Sequence, residues 1–173
     1  MEKKGISREL TLMKKESKEV FIDTNVLIYE TFRDFDGEKH EDVCRQLKYL
    51  SDNNYKVYIS SQVVREFLVI STNGKFFEKP LEIDEALSKI DEYKENFEIL
   101  YDNELSMTNL KQLVSKYQVC KRDIYDANIV ATMMAYQLKE IYTLNIIKDF
   151  RFYEEIKLYK VKRDADEQES ESV

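Results

Sequence analysis

Five short apolar runs along the chain predict β-strands. The first, Val20–Ile22, is apolar throughout, as expected of a strand that is covered on both faces. The last, Ile156–Val161, alternates between apolar and polar residues, which is typical of a strand at the edge of a sheet. The five predicted strands cover residues 20–22, 57–59, 97–100, 141–144 and 156–161.

Between these runs, apolar residues recur at the three- and four-residue spacing of amphipathic helices. Strands that alternate with helices predict a three-layer α/β/α sandwich around a central, mostly parallel sheet. The apolar stripes that define the five predicted helices are Val43, Leu47 and Leu50; Val63, Phe67 and Ile70; Ile83, Leu87 and Ile90; Leu110, Leu113, Val114 and Tyr117; and Ile129, Val130, Met133 and Met134.

The chain divides into one folded body and two flanking segments. We predict an N-terminal extension over 1–19, a folded domain over 20–161 and an acidic, disordered tail over 162–173. A length of 173 residues suits one domain, and an apolar content of 43% argues against a disordered chain. With only three Gly and one Pro, a turn-rich sandwich or barrel is disfavoured.

The sequence predicts a cytoplasmic protein from the absence of a membrane span and a signal peptide and from its two cysteines. No apolar run approaches the roughly 18 residues of a membrane span, and the first 20 residues lack the apolar core of a signal peptide. Cys44 and Cys120 are not spaced as a motif and predict reduced thiols in a cytoplasmic protein. The single histidine, His40, lies among charged residues and is predicted to be solvated.

The net charge of −7 argues, taken alone, against a nucleic-acid-binding protein, because phosphate binding favours Lys and Arg. A cluster of uncompensated carboxylates also makes a chain acidic, and such a cluster attracts divalent cations. Part of the excess lies in the tail over 164–171. The net charge therefore does not exclude a nucleic-acid-binding protein.

Three acidic residues follow predicted strands. Sites in open α/β sheets form at the carboxyl ends of the strands. Asp23 directly follows the first strand, Glu66 lies beyond the second at the margin of an apolar stripe, and Asp149 lies just past the fourth. Each also has an ordinary structural interpretation: Asp23 as a helix N-cap, Glu66 as a partner of Arg65, and Asp149 as a loop acid beside Lys148.

Asp126 is the most informative acid of the sequence. Its i+3, i+4 and i+7 neighbours are Ile129, Val130 and Met133, which places its carboxylate on the buried face of a helix. A buried carboxylate requires a cation, a donor or a proton. The ordinary alternative is a first-turn acid favoured by the helix dipole. That alternative suits Asp123 equally well, so Asp123 is a candidate outer residue or substitute.

If the acids converge, the predicted chemistry is metal-assisted phosphoryl transfer. Oxygen-only ligands select Mg²⁺ or Mn²⁺, and such ions activate water and stabilise charge on a phosphoryl group. Neither a P-loop nor a Gly-rich dinucleotide turn is present in the sequence. A phosphatase of the haloacid-dehalogenase type also starts with a strand and an Asp, but it needs a second Asp where Asn25 stands.

The same residues resemble the PIN-domain ribonucleases. The segments that carry the resemblance, over roughly residues 20–161, are Phe21–Tyr29, Ser60–Phe67, Tyr125–Ala131 and Thr143–Phe150. Two features depart from the family pattern: the first strand begins near residue 20, and the closing motif holds one more residue than usual between Asn145 and Asp149.

The resemblance implies a PIN-like α/β/α sandwich and Mg²⁺- or Mn²⁺-dependent hydrolysis of RNA phosphodiesters. It implies that Asp23, Glu66 and Asp126 bind the metal, with Asp149 as a fourth acid. It also implies a supporting role in hydrogen bonding for Thr24, Asn25 and Asn145. Many members of the family are VapC-type toxins that are inhibited by a small antitoxin, and many are homodimers.

We therefore expect a metal-dependent endoribonuclease that forms a homodimer and is either the toxin of a toxin–antitoxin pair or a stand-alone PIN protein. The alternative is a catalytically silent PIN-like module that binds RNA or a protein. Basic residues beside the site motifs are candidate RNA phosphate contacts, although each also suits an ordinary solvated surface position: Arg65, Lys121, Arg122, Lys148 and Arg151.

Overall fold

The computed structural model describes residues 18–145 and 150–162. The predicted extension up to residue 17, the tail from 163, and the candidate residues Lys148 and Asp149 lie outside the described residues. Within the described part, five strands form one parallel sheet in the order β3-β2-β1-β4-β5. The strands are β1 (Glu19–Ile22), β2 (Lys56–Ser60), β3 (Glu98–Leu100), β4 (Glu140–Tyr142) and β5 (Lys157–Leu158).

The helices of the described residues are α1 (Thr24–Thr31), α2 (Gly37–Asp52), α3 (Ser61–Ser71), α4 (Ile83–Asn96), α5 (Glu104–Tyr117) and α6 (Asp123–Ala135), with a short 3-10 helix at Arg33–Phe35. The connections β1–β2 and β2–β3 run in one direction across the sheet, and β3–β4 runs back. Right-handed crossovers therefore place α5 and α6 on the face opposite α1 to α4. This confirms the predicted α/β/α sandwich. No helix of the described residues is long and apolar enough to span a membrane.

The strand patterns correctly predicted the centre and one edge of the sheet. Val20, Phe21 and Ile22 of β1 are completely buried between β2 and β4. β5 is an edge strand, as its alternation indicated. The strand bounds differ by a few residues from the prediction. Because β4 ends at Tyr142, Thr143 begins the loop that faces the start of α1.

The apolar stripe predicted for α4 was only partly right. Ile90 is buried, but Ile83 and Leu87 are 69% and 48% exposed. The buried face consists of Ala86, Ile90 and Tyr93, which also follow the i, i+4, i+7 spacing of a helix. The aromatic ring of Tyr93 buries more surface than Leu87 would, and its hydroxyl group has polar partners inside the fold.

The prediction of a solvated His40 was wrong, whereas that of free cysteines is confirmed. His40 is partly buried, and its Nδ1 lies 2.9 Å from the carbonyl oxygen of Tyr29, which connects α2 to α1. Cys44 Sγ is 3.6 Å from His40 Nε2, and neither Cys44 nor Cys120 forms a disulfide. Burial raises the pKa of the Cys44 thiol, so this pair is not an activated nucleophile.

Candidate active site

Asp23 lies at the carboxyl end of β1 and caps α1. It is 8% exposed, and its Oδ1 accepts a hydrogen bond from the backbone N–H of Thr24 at 2.7 Å. Its Oδ2 accepts hydrogen bonds from Asn25 Nδ2 at 2.6 Å and from Thr143 Oγ1 at 2.8 Å. The backbone N–H of Asp23 donates to Tyr142 O at 3.0 Å, which continues the pairing with β4. Both carboxylate oxygens of this buried acid are thus held in a defined orientation.

Thr143 joins the end of β4 to the start of α1, and its role was not predicted from the sequence. Its hydroxyl donates to Asp23 and accepts hydrogen bonds from Asn25 Nδ2 at 2.9 Å and from the Asn145 N–H at 3.1 Å. Asn25 Oδ1 in turn accepts the Leu144 N–H at 3.0 Å. Asn25 and Asn145 therefore both support Asp23, the first through its side chain and the second through its backbone. The sequence prediction placed Thr143 inside the strand over residues 141–144, so no local signal pointed to its contact with Asp23.

Glu66 lies on α3, whose N-cap Ser60 ends β2. It is partly buried, as its place at the margin of the apolar stripe predicted. Its Oε2 accepts the Thr24 hydroxyl at 2.8 Å, and its Oε1 accepts Gln62 Nε2 at 2.7 Å. Thr24 therefore contacts two acids, since its N–H is bonded to Asp23 and its hydroxyl to Glu66. The structure brings Asp23 and Glu66 together around this threonine.

Asp126 and Asp123 both lie in the first turn of α6. Asp123 is exposed and Asp126 is partly buried, and its i+3, i+4 and i+7 neighbours on the helix are buried apolar residues. Burial raises the pKa of the Tyr153 hydroxyl, and the negative charges of Asp126 and Asp123 raise it further. A hydrogen bond joins the first turn of α6 to α3, the helix that carries Glu66. Gln62 Nε2 on α3 donates to the carbonyl oxygen of Tyr125, the residue before Asp126, at 3.0 Å.

The structure brings only some of the predicted acids together. Over residues 18–145 and 150–162, no three His, Cys, Asp or Glu side chains form a group able to hold a metal ion. Asp23 and Glu66 adjoin, Asp126 does not complete such a group with them, and Asp149 is not described. The donor set of Asp23 and Glu66 consists only of carboxylate oxygens, which fits a hard divalent cation rather than a soft one.

A largely apolar cleft of about 630 Å³ lies beside Glu66. Arg65, Arg122 and Tyr125 line it, and Arg65 Nη2 lies 3.7 Å from Asp102 Oδ2, an ion pair that sequence reasoning missed. Lys121 and Arg151 are also exposed. The apolar lining consists of Val69, Ile70, Leu110 and Ile124.

A family model described as the PIN domain matches residues 20–154. This protein belongs to the PIN domain family. The match extends from β1 to the segment just before β5 and therefore includes all four predicted acids of the site. No curated protein matches the chain.

Solved structures share the fold of this PIN domain at low sequence identity. VapBC2 from Rickettsia felis, bound to a promoter DNA fragment, is 19% identical with a TM-score of 0.61, and the match covers 82% of this chain and 97% of that one. A toxin–antitoxin complex from Klebsiella pneumoniae is 18% identical with a TM-score of 0.55 and coverage of 83% and 98%. VapC20 from Mycobacterium tuberculosis, a sarcin–ricin loop cleaving toxin, is 14% identical with a TM-score of 0.50 and coverage of 70% and 86%.

Proposed function

We propose that this PIN-domain protein is a divalent-metal-dependent endoribonuclease that hydrolyses RNA phosphodiesters. The observation that carries the proposal is the convergence of Asp23 and Glu66 on Thr24 at the carboxyl end of a parallel sheet. Sites in this class of sheet form at that edge. Membership of the PIN family and the structural likeness to a sarcin–ricin loop cleaving toxin support the same reaction.

In this proposal, Asp23, Glu66 and Asp126 hold Mg²⁺ or Mn²⁺, with Asp149 as a fourth acid and Asp123 as its substitute. When bound, such an ion activates water and stabilises charge on the phosphoryl group. The protein contributes the orientation of the ligands. Thr24, Asn25 and Thr143 hold the oxygens of Asp23, and Asn145 supports Thr143.

Basic side chains around the acids are proposed to bind the RNA backbone. Arg65 and Arg122 line the cleft beside Glu66, so a strand that enters the cleft would bring its phosphates close to both guanidinium groups. The remaining proposed phosphate contacts are Lys121, Lys148 and Arg151.

We further propose that the enzyme acts in the cytoplasm as a homodimeric toxin that a small antitoxin inhibits. The likeness to a toxin–antitoxin complex and to VapBC2 supports such a partner. Co-expression with the product of a neighbouring small open reading frame, followed by size-exclusion chromatography with light scattering, would test both interactions. Absence of any complex, or a monomeric mass for the protein, would contradict the corresponding part of the proposal.

The decisive experiment is cleavage of a mixed RNA substrate in the presence of Mg²⁺, Mn²⁺ or EDTA. We expect cleavage that needs the metal and that is lost in Asp126→Asn, while the circular dichroism spectrum of the variant stays that of the wild type. Asp42→Asn is a matched control, because Asp42 is an exposed helical acid paired with Arg45 on α2. Full activity in Asp126→Asn would refute the assignment.

A catalytically silent RNA- or protein-binding module is the second candidate. Two observations favour it: every carboxylate oxygen of Asp23 and Glu66 already accepts a hydrogen bond, and the described residues contain no group of three potential metal ligands. Isothermal titration with Mn²⁺ separates the two candidates. A silent module would neither bind the ion nor cleave RNA.

A further inference from the structure

Gln62 is a buried polar residue whose side chain reaches two helices of the candidate site. It is 5% exposed and lies one turn before Glu66 on α3. Its Nε2 donates to Glu66 Oε1 at 2.7 Å and to the carbonyl oxygen of Tyr125 on α6 at 3.0 Å. Its Oε1 accepts a hydrogen bond from Asn128 Nδ2 at 2.7 Å. Both N–H groups of the amide are therefore used, and so is its carbonyl.

These contacts allow only one orientation of the amide group. If the amide were reversed, Gln62 Oε1 would face the Glu66 carboxylate and the Tyr125 carbonyl, which are both acceptors. Asn128 prevents the reversal because its Nδ2 is a donor and must face an acceptor. The orientation follows from the donors and acceptors around the amide.

The orientation of Asn128 is itself fixed by a charged group. Asn128 Nδ2 also lies 3.4 Å from Asp102 Oδ1, and the Thr132 hydroxyl donates to the same oxygen at 3.2 Å. Asp102 lies in the loop that follows β3. A continuous series of hydrogen bonds therefore runs from this loop through α6 and Gln62 to Glu66.

We propose that Gln62 is a positioning residue that holds the Glu66 carboxylate in register with the first turn of α6. This inference rests on the proposed function, in which Glu66 and Asp126 hold the metal. One amide group contacts Glu66 directly and also contacts the residue that precedes Asp126, so it sets the spacing of the two helices at the site. Without it, Glu66 keeps Thr24 as its described side-chain donor, and the two described hydrogen bonds between Gln62 and α6 are lost.

The test compares Gln62→Met with Gln46→Met. Methionine keeps the length of the side chain and removes its hydrogen bonds. Gln46 is a matched control on α2, since it is 2% exposed and its amide bonds to the backbone of Lys162. Loss of a partner that orients a metal ligand typically costs about 10- to 100-fold in metal affinity. We expect an increase of that size in the Mn²⁺ Kd of Gln62→Met, and a lower Tm without a change in Kd for Gln46→Met.

A second variant tests the orientation of the amide and serves if Gln62→Met does not fold. Asn128→Leu leaves Gln62 in place and removes the donor that prevents its reversal, so we expect a smaller increase in the Mn²⁺ Kd. The effects of Asn128→Leu and Gln62→Met should not add in the double variant, because both act through one amide.

The outcomes separate the inference from the proposed function. A wild-type protein that binds no Mn²⁺ in isothermal titration would overturn both. A wild-type protein that binds Mn²⁺ and cleaves RNA, together with Gln62 and Asn128 variants whose Kd is unchanged, would overturn the positioning role alone. Weaker Mn²⁺ binding in Gln62→Met with an unchanged Kd in Gln46→Met would support it.

Discussion

The side chains of Asn25 and Thr143 distinguish Asp23 from an ordinary helix cap. An N-cap acid commonly needs only one carboxylate oxygen, which accepts a backbone N–H of the first turn. Here Oδ1 does so, while Oδ2 is bound by the side chains of Asn25 and Thr143. Thr24 extends the arrangement to Glu66. The site thus depends on short hydroxyl side chains that orient carboxylates from different elements.

Thr143→Val should destabilise the protein although it preserves the shape of the side chain. The substitution removes a donor to the buried Asp23 carboxylate and an acceptor for Asn25 and for the Asn145 N–H. Unsatisfied buried groups cost about 1–3 kcal/mol, so we expect a loss of that order in the free energy of unfolding, measured with urea. Thr108→Val is the control, because Thr108 is exposed and bonds only within its own helix. Equal effects of the two substitutions would contradict the argument.

At the residue scale, the sequence shows where acidic side chains point more readily than which distant residues contact them. Asp23 and Glu66 follow strands, and their neighbours at helical or strand spacing reveal where their side chains point. Gln62, Asn128 and Thr143 act through contacts with residues that are distant in the chain. Local spacing carries no signal for such contacts, and only the folded structure shows them.

At the scale of elements, α4 shows the limit of helical periodicity. The stripe of Ile83, Leu87 and Ile90 and the stripe of Ala86, Ile90 and Tyr93 have the same spacing and share one residue. Hydrophobicity favours the first stripe, yet the fold buries the second. The reason is tertiary: the Tyr93 ring packs against aromatic residues on neighbouring elements, and its hydroxyl donates to Glu30 at 2.6 Å.

Alanine substitutions on α4 should separate the two stripes. Ile90→Ala removes buried methyl groups and should cost about 2–5 kcal/mol in the free energy of unfolding. Leu87→Ala should change it by no more than about 0.5 kcal/mol, as is usual on a surface. Urea titration of both variants measures the difference. A larger loss for Leu87→Ala would show that its exposed face is covered in solution.

A second interaction between elements should make stability depend on pH. Glu155, before β5, accepts hydrogen bonds from Lys116 and Tyr117 on α5 at 2.9 Å each. Burial raises the pKa of Glu155, whereas the hydrogen bonds from Lys116 and Tyr117 lower it. The lowering is larger, so the pKa of Glu155 lies below its ordinary value. An acid with a lowered pKa contributes stability above its unfolded pKa of about 4.3, and this contribution is lost as the pH falls through the folded value.

Glu155→Gln should therefore lower the urea midpoint near neutral pH and have a decreasing effect below about pH 4. Glu154→Gln is a matched control, because Glu154 also pairs with Lys116 but its side chain is 80% exposed. We expect little change for the control at any pH. A midpoint difference between Glu155→Gln and wild type that persists unchanged in acid would refute the role of this carboxylate.

At the scale of the whole molecule, the strand pattern predicted the class of the sheet but not its order. β1 and β4 are neighbours, and the pairing joins Ile22 to Tyr142 across most of the chain. The periodicity of each run reveals the burial of that run alone, so the strand order is seen only in the folded structure. This order determines the candidate site because it places Thr143 beside Asp23.

The charge of the whole molecule restricts how the proposed RNA substrate would bind. A net charge of −7 repels a polyanion, so binding must rely on a local basic region. Arg65 and Arg122 supply one in the cleft beside Glu66. They are not equivalent, because Arg65 lies 3.7 Å from the carboxylate of Asp102 and part of its charge is already compensated.

This difference should appear in the salt dependence of RNA binding. Each phosphate neutralised on a single strand contributes about −0.7 to the slope of log Kobs against log salt. The two cleft arginines therefore contribute about −1.4, and all five proposed phosphate contacts together about −3.5. Measured in the Asp126→Asn background, where the RNA stays intact, Arg122→Gln should reduce the magnitude of the slope by about 0.7 and Arg65→Gln by less. Arg45→Gln on α2 should leave it unchanged, since Arg45 is paired with Asp42 away from the cleft. An unchanged slope in Arg122→Gln would contradict the assignment of the cleft as the path of the strand.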